Sequence, residues 1–483
     1  MLFSSAAFLY SFLPLTIAVY FLMPRRLKNA ALLLMSLIFY AWGEPRYVVL
    51  MVLSITQGYI FARLIGKSRG TKKAKAYLII SLVLSLGMLG VFKYANFFAE
   101  SFAAVFGLKI AALNIALPIG ISFYTFQLIS YVIDVYRADV EPQRDYVAFA
   151  AYISMFPQLI AGPIVRYSDI EAELTARAYG ADKAAYGARR FILGLGKKVL
   201  IANVLAELVN AFKASGEKST LFYWVYAAAY MLHVYFDFSG YSDMAIGLGS
   251  IFGFTFPENF NYPYIAASIT EFWRRWHMSL SSWFRDYVYI PLGGSRVKRP
   301  RALLNIAIVW MLTGLWHGAD WNFVMWGIMN GVIILISQEL EPLYARFHKQ
   351  FPSLGQRKGY QAFQIVRTFF LMGSLRMFDC YGDVPLSFSM FFSMFRDFDL
   401  RALTVNEFLD LGLNIPQYVI VFAGTVLMFA ASVIGRKESV REQLSRKPYV
   451  VRYAAVAALF LAVVLFGSYG VGYDAAQFIY NQF

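Results

Sequence analysis

Cysteine is almost missing from this chain. Cys380 is the only one among 483 residues, so no internal disulfide can form and packing with hydrogen bonds must hold the fold. Charge is scarce too: Asp, Glu, Lys and Arg make up 15% of the residues, against about 25% in an ordinary soluble domain. There is no G-x-S-x-G elbow, no Walker or GxGxxG phosphate loop, and no zinc-type ligand spacing. Hydrolases built on such an elbow, phosphate-loop enzymes and a metal centre are therefore not expected. Repeats, low-complexity tracts and long linkers are also lacking, which excludes collagen, coiled coil and disorder. What is present is apolar. Hydrophobic residues reach 59% and the mean hydropathy is +0.53. A soluble protein has too little interior to hide that much, so the surplus must face lipid.

Forty-four Lys and Arg against 29 Asp and Glu leave a net charge of +15. In a soluble protein this excess would suggest nucleic acid. Here the bases stand in short clusters between apolar runs, as cytoplasmic loops do, and no nucleic-acid partner is expected. A spanning helix needs about 20 apolar residues to cross roughly 30 Å of hydrocarbon. The first candidate, Leu2–Met23, has no basic segment before it and no small-residue cleavage site after it, so it reads as a retained span. Others are Ala30–Trp42, Tyr47–Ala62, Tyr77–Phe92, Leu113–Ile133, Val199–Phe212 and Leu221–Phe252. The series continues with Ala302–Leu315, Trp321–Leu340, Phe363–Phe378, Tyr418–Ile434 and Val451–Val471. If the chain starts outside, the basic clusters at Arg25–Lys28, Arg63–Lys75, Arg274–Arg301, Arg346–Lys358 and Arg436–Lys447 all fall on the cytoplasmic side. The opposite loop, Asp379 to Asp410, is acidic, with Asp383, Asp397, Asp399 and Glu407. A single polytopic domain over residues 1–483 is expected.

Two regions do not fit simple crossing. Phe156–Pro163 is apolar, but Pro157, Gly162 and Pro163 break any helix through it. Such a backbone survives at membrane depth only where protein or a water-filled cavity satisfies it, which suggests a re-entrant segment. Phe260 to Arg301 is too charged to span.

Seven of the nine tryptophans lie between Trp273 and Trp326, with His277 and His317 among them. An interfacial aromatic belt explains the indoles but not the polar residues mixed into them. In Thr270–Gly294, Phe272, Trp276, Leu280, Trp283/Phe284 and Tyr287 make one apolar stripe at helical spacing. Arg274, Arg275, Ser282 and Arg285 lie off it. The pattern predicts one amphipathic helix at the membrane surface, with His277 on its flank. His317 falls in an apolar stretch between Gly314 and Gly318, with Asp320 and Asn322 just beyond. An ionisable side chain there is costly and usually faces an interior cavity. The glycines leave room for another backbone or a substrate to approach the imidazole, and imidazole suits proton transfer near neutral pH. A core histidine bonded to a carbonyl is the plainer alternative. In the span Leu221–Phe252, Asp237 and Tyr241 are four apart, so they share a helical face and could form a buried hydrogen-bonded pair. His233 there reads as a satisfied span residue, His348 as a solvated loop residue and Cys380 as packing.

The segments SFYTFQLISYVIDVYR (Ser122–Arg137), FPQLIAGPIVRY (Phe156–Tyr167), YFDFSGYSD (Tyr235–Asp243) and NFNYPY (Asn259–Tyr264) carry a resemblance. So do FWRRWHMSLSSWFRDYVYIPLGG (Phe272–Gly294), TGLWHGADWNFVMWG (Thr313–Gly327) and YDAAQFIYNQF (Tyr473–Phe483). Together they resemble the membrane-bound O-acyltransferases (MBOAT), in the alginate O-acetyltransferase (AlgI-like) branch, with the D-alanyl transferases (DltB-like) as near relatives. The resemblance implies an all-α integral membrane fold. About 11–12 transmembrane helices, with re-entrant and interfacial helices, would ring a central tunnel. It implies a catalytic role for His317 and places His277 at the second polar position of the family site.

On that basis the expected chemistry is acyl transfer in a bacterial cytoplasmic (inner) membrane. No cofactor is bound; an acyl thioester, acetyl-CoA foremost, is the co-substrate. Arg274, Arg275 or Arg285 would pair with donor phosphates. His317 would take the proton of an acceptor hydroxyl, and His277 would stabilise the oxyanion or orient the acceptor. Trp316 and Trp321 would wall the tunnel, and Asp320 and Asn322 would line it. Expected partners are an extracytoplasmic acyltransferase protein and a polysaccharide acceptor. A carrier-bound D-alanyl donor is the alternative within this chemistry. A proton-linked transporter is the alternative outside it, although the chain has no similarly interrupted halves.

Overall fold

The structure, a computed structural model, describes residues 1–113, 115–215, 219–396 and 411–469. Asp397, Asp399 and Glu407 of the acidic loop, the end of the last expected span and the motif Tyr473–Phe483 lie outside the described residues. Within them the chain is helical, with no strand beyond one isolated antiparallel bridge between Phe260 and Trp276. The helices that matter here are α1 (Val48–Lys67), α2 (Lys72–Leu89), α3 (Ile121–Arg137), α4 (Tyr146–Ser154), α5 (Ala181–Gly196), α6 (Asn203–Ala214) and α7 (Thr220–Ile251). They are followed by α8 (Ile269–Arg275), α9 (Met278–Phe284), α10 (Arg299–His317), α11 (Trp321–Glu339), α12 (Lys358–Leu375), α13 (Ile415–Ile434) and α14 (Tyr449–Phe466).

Among the described residues, each expected span contains helix over most or part of its length. Five stretches among the described residues are long and apolar enough to cross a membrane by themselves: Pro45–Lys67, Lys72–Phe106, Trp321–Glu339, Ile415–Ile434 and Tyr449–Phe466. Their apolar side chains stand outward, as Leu427 on α13 and Leu465 on α14 do, which is the pattern of helices solvated by lipid. The expected span Leu113–Ile133 starts late, because helix begins only at Ile121.

The chain divides into two compact units. The first comprises Met1–Leu195 with Tyr241–Pro257, and the second Gly196–Gly240 with Glu258–Ser468. In the first, α3 packs against α1 and α2, and nearly its whole surface from Ile121 to Val135 is buried. The segment Phe156–Pro163 is broken and fully buried, with protein groups meeting part of its polar atoms. Ser36 Oγ accepts from Phe156 N at 3.2 Å, while Gln158 donates to the Tyr152 carbonyl at 2.7 Å. Arg190 of α5 grips Asp243 at the end of α7, donating through Nε at 2.9 Å and Nη2 at 2.7 Å.

In the second unit α10 and α11 form an antiparallel hairpin joined by Gly318–Asp320. Asp237 of α7 is ion-paired with Lys198 at 2.6 Å, both buried. The Asp237–Tyr241 pair that the spacing allowed is thus replaced: an ammonium offers a buried carboxylate a full countercharge, which a phenol cannot. Tyr241 instead stacks on Phe3 within the first unit, ring centroids 4.6 Å apart. His233 faces the Ala202 carbonyl at 3.0 Å; His348, expected in a solvated loop, is half-buried in the short helix Glu341–Gln350 and faces the Tyr344 carbonyl at 2.9 Å. Cys380 is buried, its thiol donating to the Arg376 carbonyl at 2.6 Å.

Candidate active site

The stripe predicted over Thr270–Gly294 is buried as expected, from Phe272 through Trp276, Leu280, Trp283 and Phe284 to Tyr287. The single amphipathic helix is not continuous. It breaks at Trp276–His277 into α8 and α9, followed by a π-helical turn at Arg285–Tyr289. At the break His277 has φ 45 and ψ 55, a left-handed conformation that costs a non-glycine residue about 1–2 kcal/mol. The flanking loop holds it there: Met278 N donates to the Asn259 carbonyl at 3.0 Å, and Asn261 N to that of Arg275 at 2.9 Å. These bonds replace helical ones and swing His277 from the helix flank into the interior, where it is 2% exposed.

Its imidazole meets the Asn259 side chain, Nδ1 to Oδ1 at 3.0 Å. It packs edge-on to Phe238 at 4.6 Å and lies 5.7 Å from the Trp316 ring. The break lies outside the spanning helices, and burial pushes this imidazole down to about 3, so it is neutral at physiological pH.

His317 is the last residue of α10 and is half-buried. Its ring lies 5.0 Å from Trp316 and 4.8 Å from Trp326, edge to face with both. Trp316 therefore stands next to both imidazoles. Gly314, one turn before His317, faces the α11 backbone. A Cβ there would stand 3.1 Å from Gly327 Cα and closer still to the Phe323 carbonyl. A Cβ on Gly318 would collide with the Phe323 ring. Of the two uses foreseen for these glycines, close approach of another backbone is the one Gly314 serves, and Gly318 makes room for a phenyl ring. Neither contact involves open space beside the imidazole.

Trp316 is buried, whereas Trp321 is exposed. Asp320 caps α11, its carboxylate accepting from Trp321 N at 2.6 Å. Asn322 is buried, and its Oδ1 has no hydrogen-bond partner among the described residues. Of the three arginines proposed for donor phosphates, Arg274 is exposed. Arg275 is tied to Glu271 at 2.8 Å and donates to the Asn261 carbonyl. Arg285 pairs with its neighbour Asp286 at 2.6 Å. Among the described residues, no group of three His, Cys, Asp or Glu side chains gathers to hold a metal ion.

Two further participants escaped the sequence reading. Asn259 was read only as part of a motif, yet it is fully buried and anchors His277. Arg376 is buried in an ion pair with Asp379, its guanidinium 5.6 Å from the Trp276 ring and 5.7 Å from that of Trp326. The contacts that tie them to this cluster are with residues distant in the chain: His277 for Asn259, and Trp276 and Trp326 for Arg376.

A lipid-solvated helical protein that keeps two imidazoles against one indole is a membrane enzyme in outline. The chain belongs to the MBOAT, membrane-bound O-acyltransferase family, whose match covers residues 142–380 and includes both histidines, Arg376 and Asp379. It is a membrane-bound O-acyltransferase, which displaces the transporter alternative. It is 46% identical over 345 residues to the probable alginate O-acetylase AlgI of Azotobacter vinelandii, covering 70% of this chain and 69% of that one. Over 387 residues it is 34% identical to the peptidoglycan O-acetyltransferase of Helicobacter pylori, covering 73% of each. The teichoic acid D-alanyltransferase of Bacillus subtilis is 29% identical over 281 residues, covering 56% of this chain and 68% of that one.

Proposed function

We propose that this protein moves an acetyl group from acetyl-CoA on the cytoplasmic side of a bacterial inner membrane to a hydroxyl of an extracytoplasmic polysaccharide, with His317 as general base. One observation carries the reading: His317 ends its helix half-buried between two indole rings, so the imidazole is partly reachable while its walls are apolar. The identity to relatives named for alginate and peptidoglycan O-acetylation exceeds that to the D-alanyltransferase, which favours acetyl over D-alanyl as the group moved.

The chemistry is balanced with the residues at hand. The acceptor oxygen attacks the thioester carbonyl while its proton passes to His317. The tetrahedral intermediate collapses, the C–S bond breaks, and the thiolate takes the proton back from His317. General-base assistance of this kind is worth about 10²–10⁴-fold. Apolar indole walls exclude water that would otherwise hydrolyse the thioester. Arg274 is the arginine free to meet donor phosphates without giving up a carboxylate partner. An extracytoplasmic partner protein would present the polymer or carry the acetyl group onward.

The test is labelled acyl transfer by membranes containing the full-length protein, with acetyl-CoA and a D-alanyl-charged carrier compared as donors. His317→Ala should lower transfer by about 10²–10⁴-fold at equal expression. Full activity in that variant removes His317 from the chemistry, and transfer from the charged carrier alone replaces acetyl with D-alanyl.

A further inference from the structure

Asn259 does more than shape the loop that carries it. Its Oδ1 faces three groups: His277 Nδ1 at 3.0 Å, Ser279 Oγ at 2.9 Å and the Ser279 backbone N–H at 3.3 Å. A backbone N–H can only donate, so the atom it meets must be the amide oxygen and not the amide nitrogen. An oxygen in that position can only accept from the imidazole. The His277 proton therefore sits on Nδ1, and in the neutral ring Nε2 holds a bare lone pair. That Nε2 is buried and has no hydrogen-bond partner among the described residues.

We propose that Asn259 is a positioning residue that fixes the Nδ1–H tautomer of His277, so that Nε2 serves as a hydrogen-bond acceptor for a substrate O–H or N–H and not as an oxyanion donor. The inference rests on the acyl-transfer reading, and it decides between the two roles the sequence left open for His277. A lone pair pointed at a developing oxyanion would repel it. The same lone pair meeting a substrate X–H removes the penalty of burying an unpaired polar atom. The hydrogen it takes is not the one transferred, because the reacting hydroxyl has a single hydrogen and that one goes to His317. Two sources share the required chemistry: a second hydroxyl of the acceptor, adjacent to the reacting one, and an amide N–H along the arm of the thioester.

The experiment is nitrogen NMR on the full-length protein in lipid nanodiscs with isotope-labelled histidine rings. The chain has four histidines, and the resonances missing in His277→Gln identify this one. Wild type should show a protonated Nδ1 and a bare Nε2. Asn259→Asp keeps an acceptor oxygen and should keep both the tautomer and most of the transfer. Asn259→Leu should mix the tautomers and lower transfer on the order of 10–100-fold, the scale on which outer hydrogen-bond partners of histidine act at metal sites. A rise in KM for alginate oligosaccharide assigns the partner of Nε2 to the acceptor, and a rise in KM for acetyl-CoA assigns it to the donor.

A proton on Nε2 in wild type overturns the proposal, and this holds even if Asn259→Leu does not fold. Unchanged transfer in Asn259→Leu with a mixed tautomer overturns it as well. No transfer by wild type from either donor, with the tautomer as stated, defeats the acyl-transfer reading and with it the substrate role of Nε2.

Discussion

Gly314 and Gly327 face each other where α10 crosses α11, each so near that a Cβ on it would stand within 3.1 Å of the other's Cα. The crossing is set by backbone meeting backbone, and it fixes the side chains nearest to it on both helices. His317 comes one turn after Gly314, and Trp326 comes just before Gly327. The 4.8 Å contact between those rings is therefore held by the glycines. Gly314→Val should push the hairpin apart, costing about 1–3 kcal/mol as other overpacked cores do. A lower melting temperature in detergent, together with transfer lost out of proportion to the folded fraction, checks it. Gly359→Ala, at the start of α12 with nothing within 4 Å of the added methyl, should change neither.

Neutral His277 carries a pH dependence whose sign can be worked out. Its ordinary value is 6.5 and burial in the fold lowers it to about 3. Between those values the unfolded chain holds the extra proton and the folded one does not, so stability falls as pH falls. The contribution is complete above pH 6.5 and declines by about 1.4 kcal/mol per pH unit below it, until about pH 3. Melting curves of wild type and His277→Gln between pH 7 and 5 should therefore converge on acidification. Parallel curves would place His277 in contact with water.

How much of this was legible beforehand depends on the range over which each residue acts. Length and hydropathy located α13 and α14, because lipid is a uniform solvent and reads composition alone. The buried stripe from Phe272 to Tyr287 was visible in the 3.6-residue period. The break at His277 was not, since no glycine or proline marks it; it is imposed by Asn259, eighteen positions away. Asp237 was matched to Tyr241 by local spacing, whereas the stronger electrostatic partner was Lys198 on another segment. Both histidines stood out because tryptophan crowded around them, but their shared neighbour Trp316 could be recognised only in three dimensions.

The Lys198–Asp237 pair invites a test that separates charge from function. Each side chain is almost fully buried, so removing one leaves the other charge buried without this partner. Lys198→Met or Asp237→Leu alone should cost about 3–5 kcal/mol, and the double variant should recover most of the loss. Thermal denaturation of the three proteins in one detergent checks it. Recovery of stability without recovery of transfer would give the pair a role beyond structure.

Neighbouring Arg274 and Arg275 should respond to the same substitution in opposite ways. Arg275 is bound to Glu271 one turn earlier and to the Asn261 carbonyl in the loop that frames His277. Arg274 is exposed beside it. Arg275→Ala should therefore loosen the α8–α9 break, costing about 0.2–1 kcal/mol for a partly exposed pair, and it should lower kcat because the loop positions His277. Arg274→Ala should leave melting unchanged. If its guanidinium meets a donor phosphate, KM for acetyl-CoA should rise about tenfold or more, the equivalent of one hydrogen bond to a charged group, with kcat held. Steady-state kinetics at varied acetyl-CoA and fixed acceptor distinguish the two. A KM unaltered in Arg274→Ala moves the phosphate site off this helix, and a kcat unaltered in Arg275→Ala frees the catalytic geometry from the loop at Asn261.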